Sequence, residues 1–522
     1  MGRPFFIHLG LVASTAFCWI ASMPPFNLAE CAYLLFIPLF LWIYSEPDWK
    51  SLLRVGLFSS FFAWLGIFIW LRHVTYAGTL ILALCLSGYF VLWLVYVRIL
   101  LPRLRNRVFP LRLLGFFGIA GFWVLLEYLR SFLIYGMPMG PLALSQWQKP
   151  VLLQMLAWTG DYGLSFFLIF FNSCLAHTIY QMVSVKRGGV LFLRWFKVDF
   201  YAAIVGLIAL IFLYLSCLPK ALETEEAFSF ATFQPNFPPL LDWDFEENNR
   251  RMSALNSQVE QIQLLDFDLL LMPESVSPNP LLGDADTLGL FEQWARLLKR
   301  PILTGGSAYI GESDSWYNGI FLVDAETGLR RDFYAKRELV PFGEYTPKPF
   351  DTLLEPFGAI QGSTQAGTGT QLIPIQLSGA QWIFGPLVCY EDMFSRRVRE
   401  SVRAGAEILY VATNDAWYGT EGGAYFHAAH SVLRAVENRR PILRCGNAGW
   451  SGWIDAYGSI RGVLRDEVNS IYFKGSGNFT FSPQTEWREK QSFYTRYGDW
   501  FVGLSALLAG AGALLAKRFK KS

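Results

Sequence analysis

Long apolar runs fill residues 5–220 and return at 500–516, whereas residues 221–498 read as an ordinary mixture of charged, polar and apolar side chains. No other feature constrains the fold as much. A bilayer-spanning helix needs about 20 largely apolar residues, and its backbone polar groups must be paired inside the helix. Suitable runs lie at about 5–23, 31–45, 55–71, 79–97, 113–133, 162–183 and 199–219, and again at 499–516. The second is short. The expectation is a multi-pass α-helical membrane domain with about eight spans, seven before a soluble domain and one after it. The boundaries are 1–220 for the first seven spans, 221–498 for the soluble domain, and 499–522 for the last span and a basic tail. The first run opens a series and lacks a small-residue cleavage site, so it reads as a span rather than a signal peptide.

Charge divides at the same places. The net charge of +2 combines 16 Lys/Arg against 6 Asp/Glu in residues 1–220, 24 against 35 in residues 221–498, and 4 against 1 in residues 499–522. Arg3 precedes the first run. Lys50 and Arg54, then Arg98, Arg103, Arg105, Arg107 and Arg112, then Lys186, Arg187, Arg194 and Lys197 fill alternate connections, and Lys517, Arg518, Lys520 and Lys521 form the tail. The positive-inside rule makes that side cytoplasmic. An odd number of spans then places the soluble domain on the outer face. Its acidic balance, without a basic patch, argues against a nucleic-acid partner.

Within 221–498, apolar strand-like segments near 228–234, 267–272, 301–309, 319–323, 329–334, 407–412 and 441–445 are interleaved with helical patterns near 247–264, 286–299, 393–404 and 426–439. Such alternation predicts an α/β sandwich. Only Cys389 and Cys445 fall here, without Cys-x-x-Cys spacing, so neither a disulfide framework nor a zinc site is indicated. The five histidines show no ligand pattern, and no metal is expected.

Three segments of this domain carry the chemistry. Leu269-Leu-Leu-Met-Pro-Glu-Ser275 and Phe384-Gly-Pro-Leu-Val-Cys-Tyr-Glu391 are apolar strands ending in a carboxylate and in a thiol beside a carboxylate; Tyr334 to Tyr345 offers Lys336 beside a Pro-Gly turn. A lone buried cysteine is by default a small hydrophobe. With Glu274 as base, Lys336 as fixed cation and Cys389 as nucleophile, the set suits acyl transfer from an ester or amide. A carboxylate enclosed after four apolar residues and a proline has its pKa raised by desolvation, which suits a proton acceptor. Glu344 and Glu391 read as structural ion-pair partners or as groups holding Lys336 and the thiol, and these readings are compatible. The backbone N–H of Tyr390 would assist an oxyanion. Trp417 and Tyr418 read equally as a lipid-facing lid or a packed aromatic pair, and Asn318 as a group orienting the site. Glu127 and Arg130, near the end of the fifth run, are costly in lipid unless functional or interfacial.

Pro273-Glu274, Tyr334-x-Lys336-x-x-Leu-Val-Pro-Phe-Gly-Glu-Tyr345, Cys389-Tyr-Glu391 and Asn414-Asp-Ala-Trp-Tyr-Gly419 together look like the nitrilase (carbon–nitrogen hydrolase) superfamily. With apolar spans on both sides, the chain resembles the apolipoprotein N-acyltransferase family over essentially its whole length. The resemblance implies an αββα sandwich, a Glu274-Lys336-Cys389 triad, and supporting roles for Glu344, Tyr390 and Glu391. Gln234-x-Asn236 followed by Trp243 matches the family's stretch bearing a tryptophan near the site entrance. It also implies that a phospholipid acyl donor acylates a diacylglyceryl apolipoprotein acceptor through a thioester. The enzyme would need no cofactor and would act as a monomer in the bacterial inner membrane, its catalytic domain on the periplasmic face. Met272, where Trp is common, and Pro386, inside the usual aliphatic run, depart from the pattern without removing a reactive group. Two rivals remain at this point: a membrane-anchored amidase acting on soluble amides, and a non-catalytic receptor or transporter on the same scaffold.

Overall fold

The computed structural model describes residues 3–133, 136–185, 197–217, 227–239, 244–348, 364–482 and 485–519. Lys186, Arg187, Arg194, Lys520 and Lys521, used above for orientation, lie outside them, as does Trp243. The chain forms two units: residues 1–218 with 421–429 and 497–522, and residues 219–420 with 430–496.

Among the described residues of the first unit, seven helices have the length and composition to cross a membrane: Pro4–Ser22, Trp49–Ile67, Tyr76–Leu104, Phe109–Arg130, Asp161–Ser184, Val198–Ser216 and Trp500–Arg518. The run expected at 31–45 is instead a shorter apolar segment, in which a 3-10 turn at Ala29–Tyr33 precedes a helix at Ile37–Ile43. Pro38 explains the break. It occupies the first turn of that helix, where its missing N–H is harmless, but it would clash with the preceding turn of a longer one.

Small residues let helices of this unit meet backbone to backbone. A Cβ on Gly121 would stand 2.5 Å from Ser505 O, and one on Gly118 would stand 3.0 Å from Gly512 Cα, so Phe109–Arg130 and Trp500–Arg518 touch where no larger side chain fits. Arg112, buried at the start of the same helix, donates to both oxygens of Asp199, at 3.1 and 2.6 Å. At its other end, Glu127 Oε1 accepts from Leu142 N at 2.8 Å and Arg130 Nη2 donates to Gly140 O at 2.9 Å. Both charged side chains are buried, so they clamp the 140–142 backbone instead of reaching water. Residues 421–429 belong to this unit: Glu421 accepts from Arg72 Nη2 (2.9 Å) and His73 Nε2 (2.6 Å), and Phe426 packs against Phe68 and Trp70.

The described residues of the second unit form the strands β1 (Phe228–Gln234), β2 (Leu269–Met272), β3 (Ile302–Ile310), β4 (Ser315–Asp324), β5 (Gly328–Leu329), β6 (Tyr334–Ala335), β7 (Ile373–Leu377), β8 (Ala380–Val388), β9 (Ile408–Thr413), β10 (Ile442–Gly446), β11 (Gly452–Ile454), β12 (Ile460–Val463) and β13 (Gly475–Phe481). One sheet runs β13-β1-β2-β3-β4-β5 with β6 also on β4, and the other runs β12-β11-β10-β9-β8-β7. β1-β2-β3 and β8-β9-β10 are parallel. Parallel strands covered on both faces read as continuous apolar runs, as the fully buried Leu269–Met272 and Ile408–Thr413 do. The sheets are joined by polar tips as well as apolar contact. Tyr410 of β9 donates to Met272 O, with Leu303 O 3.3 Å away, and Cys445 Sγ lies 3.2 Å from Leu271 O.

Candidate active site

The three candidate catalytic side chains, Glu274, Lys336 and Cys389, each follow the end of a strand. In open α/β sheets, ligands gather at the carboxyl ends of parallel strands, and β2 and β8 end there. Pro273 cannot extend the β2 ladder, so the chain turns away and delivers Glu274. A Cβ at Gly305 of β3 would lie 2.6 Å from Glu274 Cα, so only glycine admits this close passage of the turn over β3. On the other sheet, β8 ends at Val388 and Cys389 follows with φ +54°, opening a 3-10 turn through Met393. A non-glycine residue in this region carries about 1–3 kcal/mol of strain and is commonest at functional sites. Lys336 follows β6, whose pairing with β4 continues as Lys336 N donates to Asn318 O at 2.8 Å.

Lys336 and Glu274, both buried, form one cluster with the half-buried Asn318 and Glu344. Lys336, 1% exposed, places Nζ 2.9 Å from Glu344 and 3.4 Å from Glu274 Oε1. Asn318 Nδ2 donates to both carboxylates, at 2.8 Å to Glu274 and 2.9 Å to Glu344. Asn318 therefore ties the two acids together, and Glu344 is fixed further by the backbone N–H of Val340 at 2.8 Å. Burial opposes the charge on Lys336, but the charges of Glu344, Glu274 and Cys389 outweigh it, and the ammonium is held well above the usual lysine range. Cys389 is 7% exposed. Burial, followed by the Glu274 charge, pushes its thiol well up, with Lys336 and Thr413 acting the other way. Burial and the Glu274 charge thus both favour the protonated form of this side chain.

Glu391 does not take part in that cluster. Its carboxylate accepts from the backbone N–H of Val388 (2.7 Å), Arg337 (2.7 Å) and Glu338 (3.1 Å), and from the Tyr334 hydroxyl (2.9 Å). One buried side chain thereby fastens the segment bearing Lys336 to the turn bearing Cys389. Tyr390 donates its hydroxyl to Leu339 O at 2.6 Å and sets its ring 5.6 Å from Lys336 Nζ, within cation–π range. The neighbours Trp417 and Tyr418 separate: Trp417 is exposed, whereas the Tyr418 hydroxyl is hydrogen-bonded to Cys389.

Sequence reasoning missed three buried groups. Thr413 ends β9, the neighbour of β8; Asp415 lies just beyond it, and Arg444 is on β10, which pairs with β9. Arg444 carried a signal in Pro441-Ile-Leu-Arg-Cys445, because a charge inside an apolar strand requires a buried partner. Among the described residues, no three His, Cys, Asp or Glu side chains are placed to hold a metal ion.

The description "Apolipoprotein N-acyltransferase N-terminal domain" matches residues 15–174, and "Carbon-nitrogen hydrolase" matches residues 231–515. Among solved structures, a nitrilase-superfamily member of branch 10 from Saccharomyces cerevisiae is 17% identical, with a TM-score of 0.38, over 53% of this chain and 96% of that one. Among curated relatives, an apolipoprotein N-acyltransferase of Geobacter metallireducens is 30% identical over 96% of this chain and 93% of its own length. One from Brucella melitensis biotype 1 is 26% identical over 95% and 94%. Helices long and apolar enough to cross a membrane, joined to this site and matched along nearly their full length, place the chain in the apolipoprotein N-acyltransferase family of the carbon–nitrogen hydrolases.

Proposed function

We propose that this acyltransferase moves a fatty acyl chain from a phospholipid to the α-amino group of an N-terminal diacylglyceryl-cysteine, completing a triacylated lipoprotein. The observation that carries the reading is the Glu274-Lys336-Glu344 cluster, in which the Glu274 and Lys336 charges bear on a thiol presented in a left-handed backbone conformation. Glu274 takes the Cys389 proton as sulfur attacks the ester carbonyl. Lys336 and the backbone N–H of Tyr390 stabilise the oxyanion. The ester C–O bond breaks, the proton passes from Glu274 to the departing lysophospholipid oxygen, and a thioester remains. The acceptor amine then attacks that thioester and gives a proton to Glu274. The C–S bond breaks, and the proton returns to sulfur.

On this reading, residues 1–220 and 499–522 hold the enzyme in the bacterial inner membrane, and residues 221–498 form the catalytic domain on the periplasmic face. The basic residues of the alternate connections support that orientation. Both substrates carry acyl chains, so a reactive thiol carried by a membrane-spanning protein meets them without extracting either into water. The test uses the full chain in detergent with a phospholipid labelled in its acyl chain. Wild type should retain label that hydroxylamine releases, and Cys389→Ala should retain none. Equal labelling of both proteins would overturn the scheme.

A further inference from the structure

The Thr413 oxygen stands 3.0 Å from Asp415 Oδ1 and 3.7 Å from Cys389 Sγ. A hydroxyl has one proton to donate, so it can serve only one of these acceptors at a time. Asp415 is fully enclosed, and Arg444 Nη2 lies 3.9 Å from its other oxygen. Arg444 is itself held by Asp392 and Ser431, each 2.7 Å from Nη1. The parallel pairing of β8, β9 and β10 brings this buried chain beside the sulfur.

We propose that Thr413 is a further catalytic residue: its hydroxyl points to Asp415 while Cys389 is a thiol or thioester, and turns to the sulfur whenever a thiolate forms or leaves. Asp415 and Arg444 act as positioning residues behind it. No proton is transferred at Thr413, because Glu274 takes and returns the thiol proton while the Thr413 hydrogen stays on its oxygen. The inference rests on Cys389 being the nucleophile proposed above. The titratable groups facing the sulfur are Glu274 after β2, Lys336 after β6, and Asp415 and Tyr418 after β9. The Asp415 charge adds to the effect of burial and Glu274 in holding the thiol up, and the Thr413 hydroxyl lowers it.

The test pairs kcat/KM for acyl transfer by the full-length enzyme with the pH dependence of Cys389 alkylation, which follows the thiolate itself. Thr413→Val should lose about tenfold to a hundredfold in kcat/KM, the factor that a hydrogen bond to a charged group represents. Its alkylation curve should move to higher pH, and Thr413→Ser should restore both. Asp415→Asn keeps an acceptor for Thr413 but removes the charge, so its curve should move to lower pH; this arm stands if Thr413→Val does not fold. Wild-type behaviour of Thr413→Val in both measurements would overturn the proposal. So would a loss of rate without movement of the curve in Thr413→Val, or an unmoved curve in Asp415→Asn. An active Cys389→Ala would defeat the nucleophile itself, whereas an inactive one beside a wild-type-like Thr413→Val would defeat this inference alone.

Discussion

Cys389 is surrounded by groups that pull its titration in opposite directions. Burial and the Glu274 charge hold the thiol up, and Lys336 holds it down. Alkylation of Cys389 should accordingly rise about tenfold per pH unit across neutral pH, following the small thiolate fraction. Glu274→Gln should shift that curve to lower pH while abolishing acyl transfer, a pairing expected of a base and not of a structural acid. Lys336→Met should shift it to higher pH. Both follow from mass spectrometry of the Cys389 peptide, with Cys389→Ala as the blank. Glu391 predicts differently, because four donors converge on it. Glu391→Leu leaves three buried N–H groups without an acceptor, at about 1–3 kcal/mol each, so thermal unfolding should drop together with activity. Glu274, Lys336 and Cys389 were legible in the sequence because each follows an apolar strand at the point where polarity returns. Thr413, Asp415 and Arg444 were not. Their meaning depends on β8, β9 and β10 being neighbours, and strand order leaves no periodic trace in a sequence.

Among the elements, the helix Phe109–Arg130 does most to organise the membrane unit. Arg112→Leu strands the buried Asp199 carboxylate and should cost about 3–5 kcal/mol. The double variant Arg112→Leu/Asp199→Leu should recover much of that, read as resistance to denaturant in detergent. Gly121→Val forces a branched side chain against Ser505 O and should loosen the Trp500–Arg518 helix, so protease should cut there sooner than in wild type. Apolar length alone found the spanning helices, because a bilayer imposes one. It over-read residues 31–45, where composition satisfies the hydropathy pattern but Pro38 stops a continuous helix. The parallel strands and the helices of the α/β unit were legible to within a few residues, since burial on both faces leaves uninterrupted apolar runs; β7, β11, β12 and β13 were not read, and the strand expected at 329–334 is two short ones, β5 and β6.

At the scale of the whole molecule, an α/β unit carrying the buried Cys389 is joined in one chain to helices with the length and composition to cross a bilayer. The two units are not consecutive in sequence: residues 421–429 and 497–522 group with the first, although the second has already begun. Composition divided the chain at 220 and 498 but could not reveal the nine-residue return, because Glu421 and Phe426 look like ordinary surface and core residues until their partners are known. The pairing of β1 with β13 has a consequence for biosynthesis. Phe228 lies opposite Phe481, so the outer edge of β1 remains an open row of donors and acceptors until nearly all of the unit has been translated. A ribosome stalled before Gly475 would therefore present a sticky, half-finished sheet, and the nascent protein has reason to depend on a holding chaperone during that interval.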